Sequence, residues 1–212
     1  MYSVKEIFYS LQGEGAQSGR AAVFCRFTGC NLWNGLERDK ASSSCPFCDT
    51  DFVGVDGQAG GKFSSADLLA EQLHSFWPDN ADAKAKPYVV FTGGEPLLQL
   101  DNALIDKMHQ LGFEVAVETN GSIQVPENID WICVSPKTNM DLKVTSGNEL
   151  KLLFPQQQLA PESFQQLKFD YFYLQAIDDQ NASSNKQKTL QYCLAHPQWF
   201  YSLQLHKILS ID

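Results

Sequence analysis

The stretch Tyr88-Val-Val-Phe-Thr-Gly-Gly-Glu-Pro-Leu-Leu-Gln-Leu-Asp-Asn-Ala-Leu-Ile-Asp-Lys-Met-His-Gln-Leu-Gly-Phe-Glu-Val-Ala-Val-Glu-Thr-Asn-Gly121 decides the fold class. It opens on a β-type run, Tyr88 to Phe91, and closes on another, Phe113 to Glu118. Between them Asp101 is a helix cap, Leu104, Ile105, Met108 and Leu111 recur at helical spacing, and Gly112 supplies the left-handed closing residue. A strand, a helix and a strand in this order predict a parallel pair joined by a helical crossover. Both strands run straight into polar clusters, Thr92-Gly-Gly-Glu-Pro96 and Thr119-Asn-Gly121. In parallel βα architectures ligands bind where the carboxyl ends of the strands converge, so the two clusters should face one cleft.

The same grammar extends in both directions. Upstream, a strand from Ala21 to Thr28 leads to Cys30, and Ser64 or Ser65 caps a helix with an apolar face of Leu68, Leu69, Leu73, Phe76 and Trp77. Downstream, strands are expected at Ile129 to Val134, Glu149 to Phe154, Tyr171 to Gln175 and Trp199 to Leu205, with Ser135-Pro-Lys137 and Gln175-Ala-Ile-Asp178 at two of their ends. The segments 31–44, 53–62 and 178–188 read as loops, the last because it has almost no apolar content. A chain of 212 residues with 43% apolar residues suits a single domain, 1–212, but is short for eight βα units. We therefore expect an α/β fold, an incomplete (β/α)6 TIM-like barrel; an open doubly wound sheet satisfies the same alternation.

Charge and composition exclude several roles. A net charge of −9 opposes contact with a phosphate backbone, so no nucleic acid is expected as a direct partner. No apolar run approaches the length needed to cross a bilayer, and Met1-Tyr-Ser-Val-Lys-Glu lacks a basic start leading into an apolar stretch. No membrane contact and a cytoplasmic location are expected. In a reducing compartment the six cysteines point to metal or thiol chemistry before disulfides.

Cys30 and Cys45 are separated by fourteen residues, and Cys45-Pro-Phe-Cys48 adds a third thiol. Structural zinc takes four ligands. Cys25 is the conceivable fourth, although strand alternation packs it with Phe27 on one face. A CxxC redox couple would leave Cys30 without a role. Cys133 and Cys193 read as small buried apolar residues. Three thiolates on a four-iron cluster leave one iron open to a small molecule.

Three cysteines, then Asp49 and Thr50, then Gly93-Gly-Glu-Pro96 about forty-five residues on, resemble the radical S-adenosylmethionine superfamily. There the open iron chelates the methionine moiety, the Gly-Gly-Glu-Pro segment contacts its amino group, and electron transfer yields a 5′-deoxyadenosyl radical. The usual spacing between the first two cysteines is three residues; the long insertion here is similar to one in a branch of 7-carboxy-7-deazaguanine synthases. Leu11-Gln-Gly-Glu-Gly15, Arg26, Cys48-Asp-Thr50, Thr92-Gly-Gly-Glu-Pro96, Glu118-Thr-Asn-Gly121, Ser135-Pro-Lys137 and His206-Lys207 extend that resemblance over almost the whole chain.

The resemblance implies that 6-carboxy-5,6,7,8-tetrahydropterin loses a hydrogen from C6, contracts its ring and leaves as 7-carboxy-7-deazaguanine, with release of ammonia. It serves 7-deazapurine biosynthesis, most plainly queuosine modification of transfer RNA. The implied cofactors are a 4Fe-4S cluster on Cys30, Cys45 and Cys48, S-adenosyl-L-methionine, and Mg2+ on Thr50, with no catalytic side chain beyond the cluster and the adenosylmethionine. Gln12, Gly13, Glu14, Arg26 and Thr92 match substrate-binding positions. Phe47, Gly94, Ser135, Lys137, Gln175 and Asp178 match cofactor-binding positions; Ala176 stands where the family often has proline. An electron donor such as flavodoxin and a homodimer are implied as partners. Two other readings remain beside this one, a glycyl-radical activase with an open groove for a peptide and a zinc-stabilised binding module.

Overall fold

The computed structural model describes residues 1–82, 84–138 and 140–211. One nine-stranded sheet organises the chain. Its strands are β1 (Tyr2–Leu11), β2 (Ala21–Phe27), β3 (Gly61–Phe63), β4 (Tyr88–Gly93), β5 (Glu114–Thr119), β6 (Trp131–Val134), β7 (Ser146–Phe154), β8 (Lys168–Ala176) and β9 (Phe200–Ser202). The spatial order is β3-β1-β2-β4-β5-β6-β7-β8-β9. β1 pairs antiparallel with β2 and β3, and from β2 onward every neighbouring pair is parallel.

The helices are α1 (Glu37–Lys40), α2 (Ala66–His74), α3 (Asn102–Gln110), α4 (Ala182–Ala195) and α5 (Leu205–Leu209). The caps read from sequence are in place. Ser65 accepts from the Leu68 amide, Asp101 accepts from the Leu104 amide, and Gly112 takes a φ of +84°. Leu69, Leu73, Leu104, Ile105 and Met108 are buried against Val23, Phe91, Val115 and Val117 on the outer face of the sheet. Each such side chain removed from water contributes about 1.5–3 kcal/mol. Leu68 is half-exposed and lies outside this packing.

Several expectations need correction. The regular six-unit alternation is not what the chain builds: α2, α3 and α4 cover crossovers, whereas the β5–β6 and β6–β7 connections have no helix among the described residues. The polar stretch 178–188 is not all loop, because α4 begins at Ala182. Its residues read as loop because the first turns face water; what holds them is polar, with Asn185 donating to the Ile177 carbonyl and to Asp179, and Thr189 donating to the Asn185 carbonyl. β1 was not expected, since its apolar residues do not alternate. Val4 and Ile7 are buried on the helix side and Phe8 on the opposite face, with an irregular register between Val4 and Glu6.

The sheet is open at β3 and β9, yet strongly curled. In the strand order six steps separate β1 from β8, which a flat sheet would spread over roughly 29 Å. The three residues from Leu11 to Glu14 reach at most about 11 Å. Glu14 nevertheless accepts a 2.8 Å hydrogen bond from Gln175 of β8. The segment after β1 also touches the far strands through Ala16 N to Glu149 at 2.9 Å and Gly15 N to Ser202 Oγ at 3.1 Å. Gly15 has a φ of +63°, and a Cβ there would press on the Glu149 carboxylate, so glycine is the residue this turn favours.

Candidate active site

The carboxyl ends of the parallel strands surround a cavity lined by Cys30, Cys45 and Cys48. The backbone brings them there by close approach. Gly94 runs against the turn after β2, where a Cβ would meet the Gly29 carbonyl oxygen at 2.2 Å and the Cys30 Cβ at 2.8 Å. The Glu95 amide donates to that same carbonyl at 2.9 Å. The loop that follows Cys48 is tied to β1 by Lys5, a buried residue whose ammonium pairs with Asp51 at 2.8 Å and Asp56 at 2.7 Å. Within the insertion Trp33 packs edge-on against Phe52, anchoring the segment between the first two cysteines.

The thiols suit metal chemistry. Burial pushes Cys30 up and Cys45 up to about 11, so a bound cation is what would hold them as thiolates at neutral pH. Among the described residues no three His, Cys, Asp or Glu side chains lie close enough to share one metal ion. Ligands of separate irons in a cubane stand further apart than ligands of one ion. Cys25, the conceivable fourth zinc ligand, is fully buried in the outer core with Phe27 and Phe91 and does not line the cavity.

Phe47, Thr50, Thr92, Gly94, Ser135, Lys137, Gln175 and Asp178 line this same cavity. Lys137 is held by its own turn, its ammonium donating to the Ser135 carbonyl and hydroxyl, both at 2.6 Å, and burial lowers its pKa. Glu95 is different: its carboxylate turns away from the cavity. It accepts from Thr119 Oγ1 at 2.7 Å, Asn120 N at 2.8 Å and Leu97 N at 3.0 Å. Asn120 in turn donates to Asn31, next to Cys30, at 3.0 Å. Glu95 thus fixes the end of β5 against the cysteine loop.

A second cavity adjoins the first. Gln12, Gly13, Arg26 and His206 line it, and Glu14, Asp49, Thr50, Thr92, Glu118 and Gln204 line both. All five substrate positions expected from sequence therefore gather at one place. Arg26 pairs through Nε with Glu6 at 2.7 Å. α5 lies over the entrance: Leu205 N donates to the Gly13 carbonyl at 2.8 Å, and Lys207 bridges Asp178 at 2.6 Å and Asp49 at 3.2 Å. Lys207 holds the Asp178 carboxyl below its usual range.

Sequence reading did not single out the residues beneath the shared wall. Lys151 of β7, only 4% exposed, pairs with Glu14 at 2.7 Å and Glu118 at 2.8 Å. Glu14 also accepts from Gln175 at 2.8 Å and Gln204 at 3.1 Å, and Glu118 accepts from Gln12 at 3.1 Å. Burial works to raise the Glu14 carboxyl, but Lys151, Gln204 and Gln175 bring it down to about 2. For Lys151 burial disfavours the charge, and Cys133, Glu118, Glu14 and Glu149 together more than offset it, keeping a cation. Burial raises the Glu149 carboxyl. The available signal was the pair Glu149 and Lys151, two positions apart inside an apolar strand and so on one face.

No family model matches the chain. It is 57% identical over 210 residues to a 7-carboxy-7-deazaguanine synthase of Bordetella pertussis, covering 99% of each protein. The chain belongs to the 7-carboxy-7-deazaguanine synthase family. A second member, from Caulobacter vibrioides, is 55% identical, again over 99% of both chains. The crystal structure of QueE from Escherichia coli superposes with a TM-score of 0.68 at 27% identity, covering 97% of this chain and 94% of that one. Membership extends over the segments that form both cavities, including α5 and the insertion between Cys30 and Cys45.

Proposed function

We propose that this chain converts 6-carboxy-5,6,7,8-tetrahydropterin to 7-carboxy-7-deazaguanine with release of ammonia, as a radical S-adenosylmethionine enzyme of queuosine biosynthesis. The observation that carries the reading is the pair of adjoining cavities. Three thiols stand in one, Gln12, Glu14 and Arg26 in the other, and Thr50 and Thr92 in both. A hydrogen passed between two bound molecules needs their reacting atoms within contact distance, which a shared wall provides.

In this reading Cys30, Cys45 and Cys48 hold the 4Fe-4S cluster, while Phe47, Gly94, Ser135, Lys137, Gln175 and Asp178 hold S-adenosyl-L-methionine. When bound, the two together supply the 5′-deoxyadenosyl radical that takes the C6 hydrogen. Gly94 leaves room for the amino acid end of the ligand, and Phe47, between two ligands, shields the cluster. Arg26 grips the anionic carboxylate of the pterin, as a planar guanidinium does well. Thr50 contributes its hydroxyl to Mg2+, which takes hard oxygen donors and keeps part of its water. Gln12, the Gly13 backbone and Glu14 receive the aminopyrimidone edge. Lys207 neutralises Asp178 and Asp49 across the entrance and limits water access.

The curl that brings Glu14 onto β8 supports an incomplete barrel over a doubly wound sheet, as does the sequential order of β4 to β9. The chain works as one domain, 1–212. α5 over the entrance favours a small substrate over the peptide loop of an activase, and the position of Cys25 argues against a zinc module. No helix among the described residues is long and apolar enough to cross a membrane; a cytoplasmic homodimer reduced by a flavodoxin-like donor completes the reading. The test is anaerobic turnover with 6-carboxytetrahydropterin, adenosylmethionine, Mg2+ and a strong reductant, with a Cys48→Ala control. Wild-type product that vanishes in the control is the expected result; a cluster-loaded wild type that cleaves adenosylmethionine without making deazapurine rejects the substrate.

A further inference from the structure

We propose that Lys151 is a positioning residue that holds Glu14 and Glu118 as a matched pair of hydrogen-bond acceptors, and that this pair selects a ring edge carrying adjacent N–H donors. The inference rests on the pterin reading above and adds what makes the site choose a 2-amino pyrimidone over the same ring lacking that amine.

Glu14 comes from the segment after β1 and Glu118 from the end of β5, elements that do not pair with each other. One ammonium joins them, at 2.7 and 2.8 Å. Both carboxylates line both cavities and retain partial exposure, 19% and 22% of the side chain, so they are open to a ligand there. Glu118 accepts from Lys151 and Gln12, and Glu14 from Lys151, Gln175 and Gln204. That leaves acceptor capacity on each, since a carboxylate takes about four hydrogen bonds. The donors in the network, Lys151, Gln12, Gln175 and Gln204, line the cavities too but already give hydrogen bonds to these two carboxylates. A ligand therefore meets acceptors, and a ring edge made of N–H groups satisfies them.

Two carboxylates this close would repel, and the ordinary relief is that one takes a proton and becomes a donor. Such a change would set an O–H against the N–H edge of the ligand. Lys151 removes that outcome from β7, where it lines the first cavity but not the second. Glu149, on the same strand, accepts the Ala16 amide at 2.9 Å and keeps the Glu14 segment from moving off its ammonium. Lys151 touches the ligand's partners rather than the reacting atoms, and so positions.

The experiment compares the wild type with Lys151→Met, both anaerobic with the cluster reconstituted. Equilibrium binding is measured for 6-carboxytetrahydropterin, for its 2-deamino analogue and for adenosylmethionine. The wild type should prefer the amino compound at least about 30-fold, the value of one or two charge-assisted hydrogen bonds left unmade. In Lys151→Met that preference should fall below about 5-fold, a larger change than any in adenosylmethionine affinity. Should the single variant not fold, Lys151→Met combined with Glu118→Gln removes the unpaired charge and should show the same loss of preference, whereas Lys151→Arg should keep part of it. A wild type that turns over the carboxypterin without preferring it to the deamino analogue, or a folded variant that keeps the preference, overturns this inference and leaves the proposed reaction standing. A wild type that binds neither pterin overturns both.

Discussion

Cys30, Cys45 and Cys48 stand on loops tied down by a few contacts, whereas Lys151 joins Glu14 and Glu118 by ion pairs across the inner face of the sheet, with Glu149 of the same strand holding the Ala16 amide beside them. The cysteine loops lean on the Lys5 ion pairs and on Trp33 against Phe52. The acidic floor ties β5, β7 and β8 to the segment after β1. If the proposed roles hold, one region should lose its chemistry without losing the fold, and in the other recognition and stability should depend on the same bonds.

The widest separation should come from the cysteines. Cys45→Ser should abolish cluster loading and reduce turnover by at least about a thousandfold, while apo-protein stability, read by urea unfolding, changes by no more than about 1 kcal/mol. Lys151→Met should do the reverse, costing about 3 kcal/mol in the same unfolding assay because two partly buried carboxylates lose their cation. Equal stability losses in the two variants would erase the contrast between the regions.

Glu95→Ala should fall between them. It leaves the Asn120 and Leu97 amides and the Thr119 hydroxyl without their acceptor, at a cost of about 1–3 kcal/mol, and loosens the turn that touches Asn31. Its cluster loading should drop on dilution faster than that of the wild type. An unchanged stability would show that Glu95 does not brace the cysteine loop.

Acid probes the floor through Glu14, isolated by comparison with Glu14→Gln. The Glu14 carboxyl is depressed from its ordinary 4.5 to about 2, so its contribution is complete above pH 4.5 and is lost as pH falls toward 2. Unfolding midpoints measured across this window should fall more steeply for the wild type than for Glu14→Gln, and parallel curves would mean that Glu14 is not ion-paired in solution. The smallest effect belongs to Lys207→Ala. Its pairs with Asp178 and Asp49 are partly exposed and screened, so stability should change by less than about 1 kcal/mol, with a raised KM as the main symptom.

The two regions also differed in how far the sequence disclosed them. The cysteine spacing, the Thr92-Gly-Gly-Glu-Pro96 cluster and the caps at Ser65 and Asp101 are local signals, carried by residues near each other in the chain. They led to the cavity that the three cysteines and Thr92 to Gly94 line. Lys151 could not be recognised in the same way, because its partners lie 137 and 33 residues away and the curl that joins them is a property of the whole sheet. α4 was hidden for a related reason: its first turns are stabilised by Asn185 reaching back to Ile177, a contact invisible to composition. β1 escaped because its two faces are both partly buried, which erases the alternation expected of a half-exposed strand.

The central claim is that the two adjoining cavities hold the adenosylmethionine and the pterin face to face across Thr50, Thr92, Glu14 and Glu118. Turnover of 6-carboxytetrahydropterin carrying deuterium at C6 tests it directly, with recovered adenosylmethionine analysed by mass. The account predicts deuterium in the 5′ position of adenosylmethionine, accumulating with product. Deazapurine formed while the adenosylmethionine stays free of deuterium would contradict it.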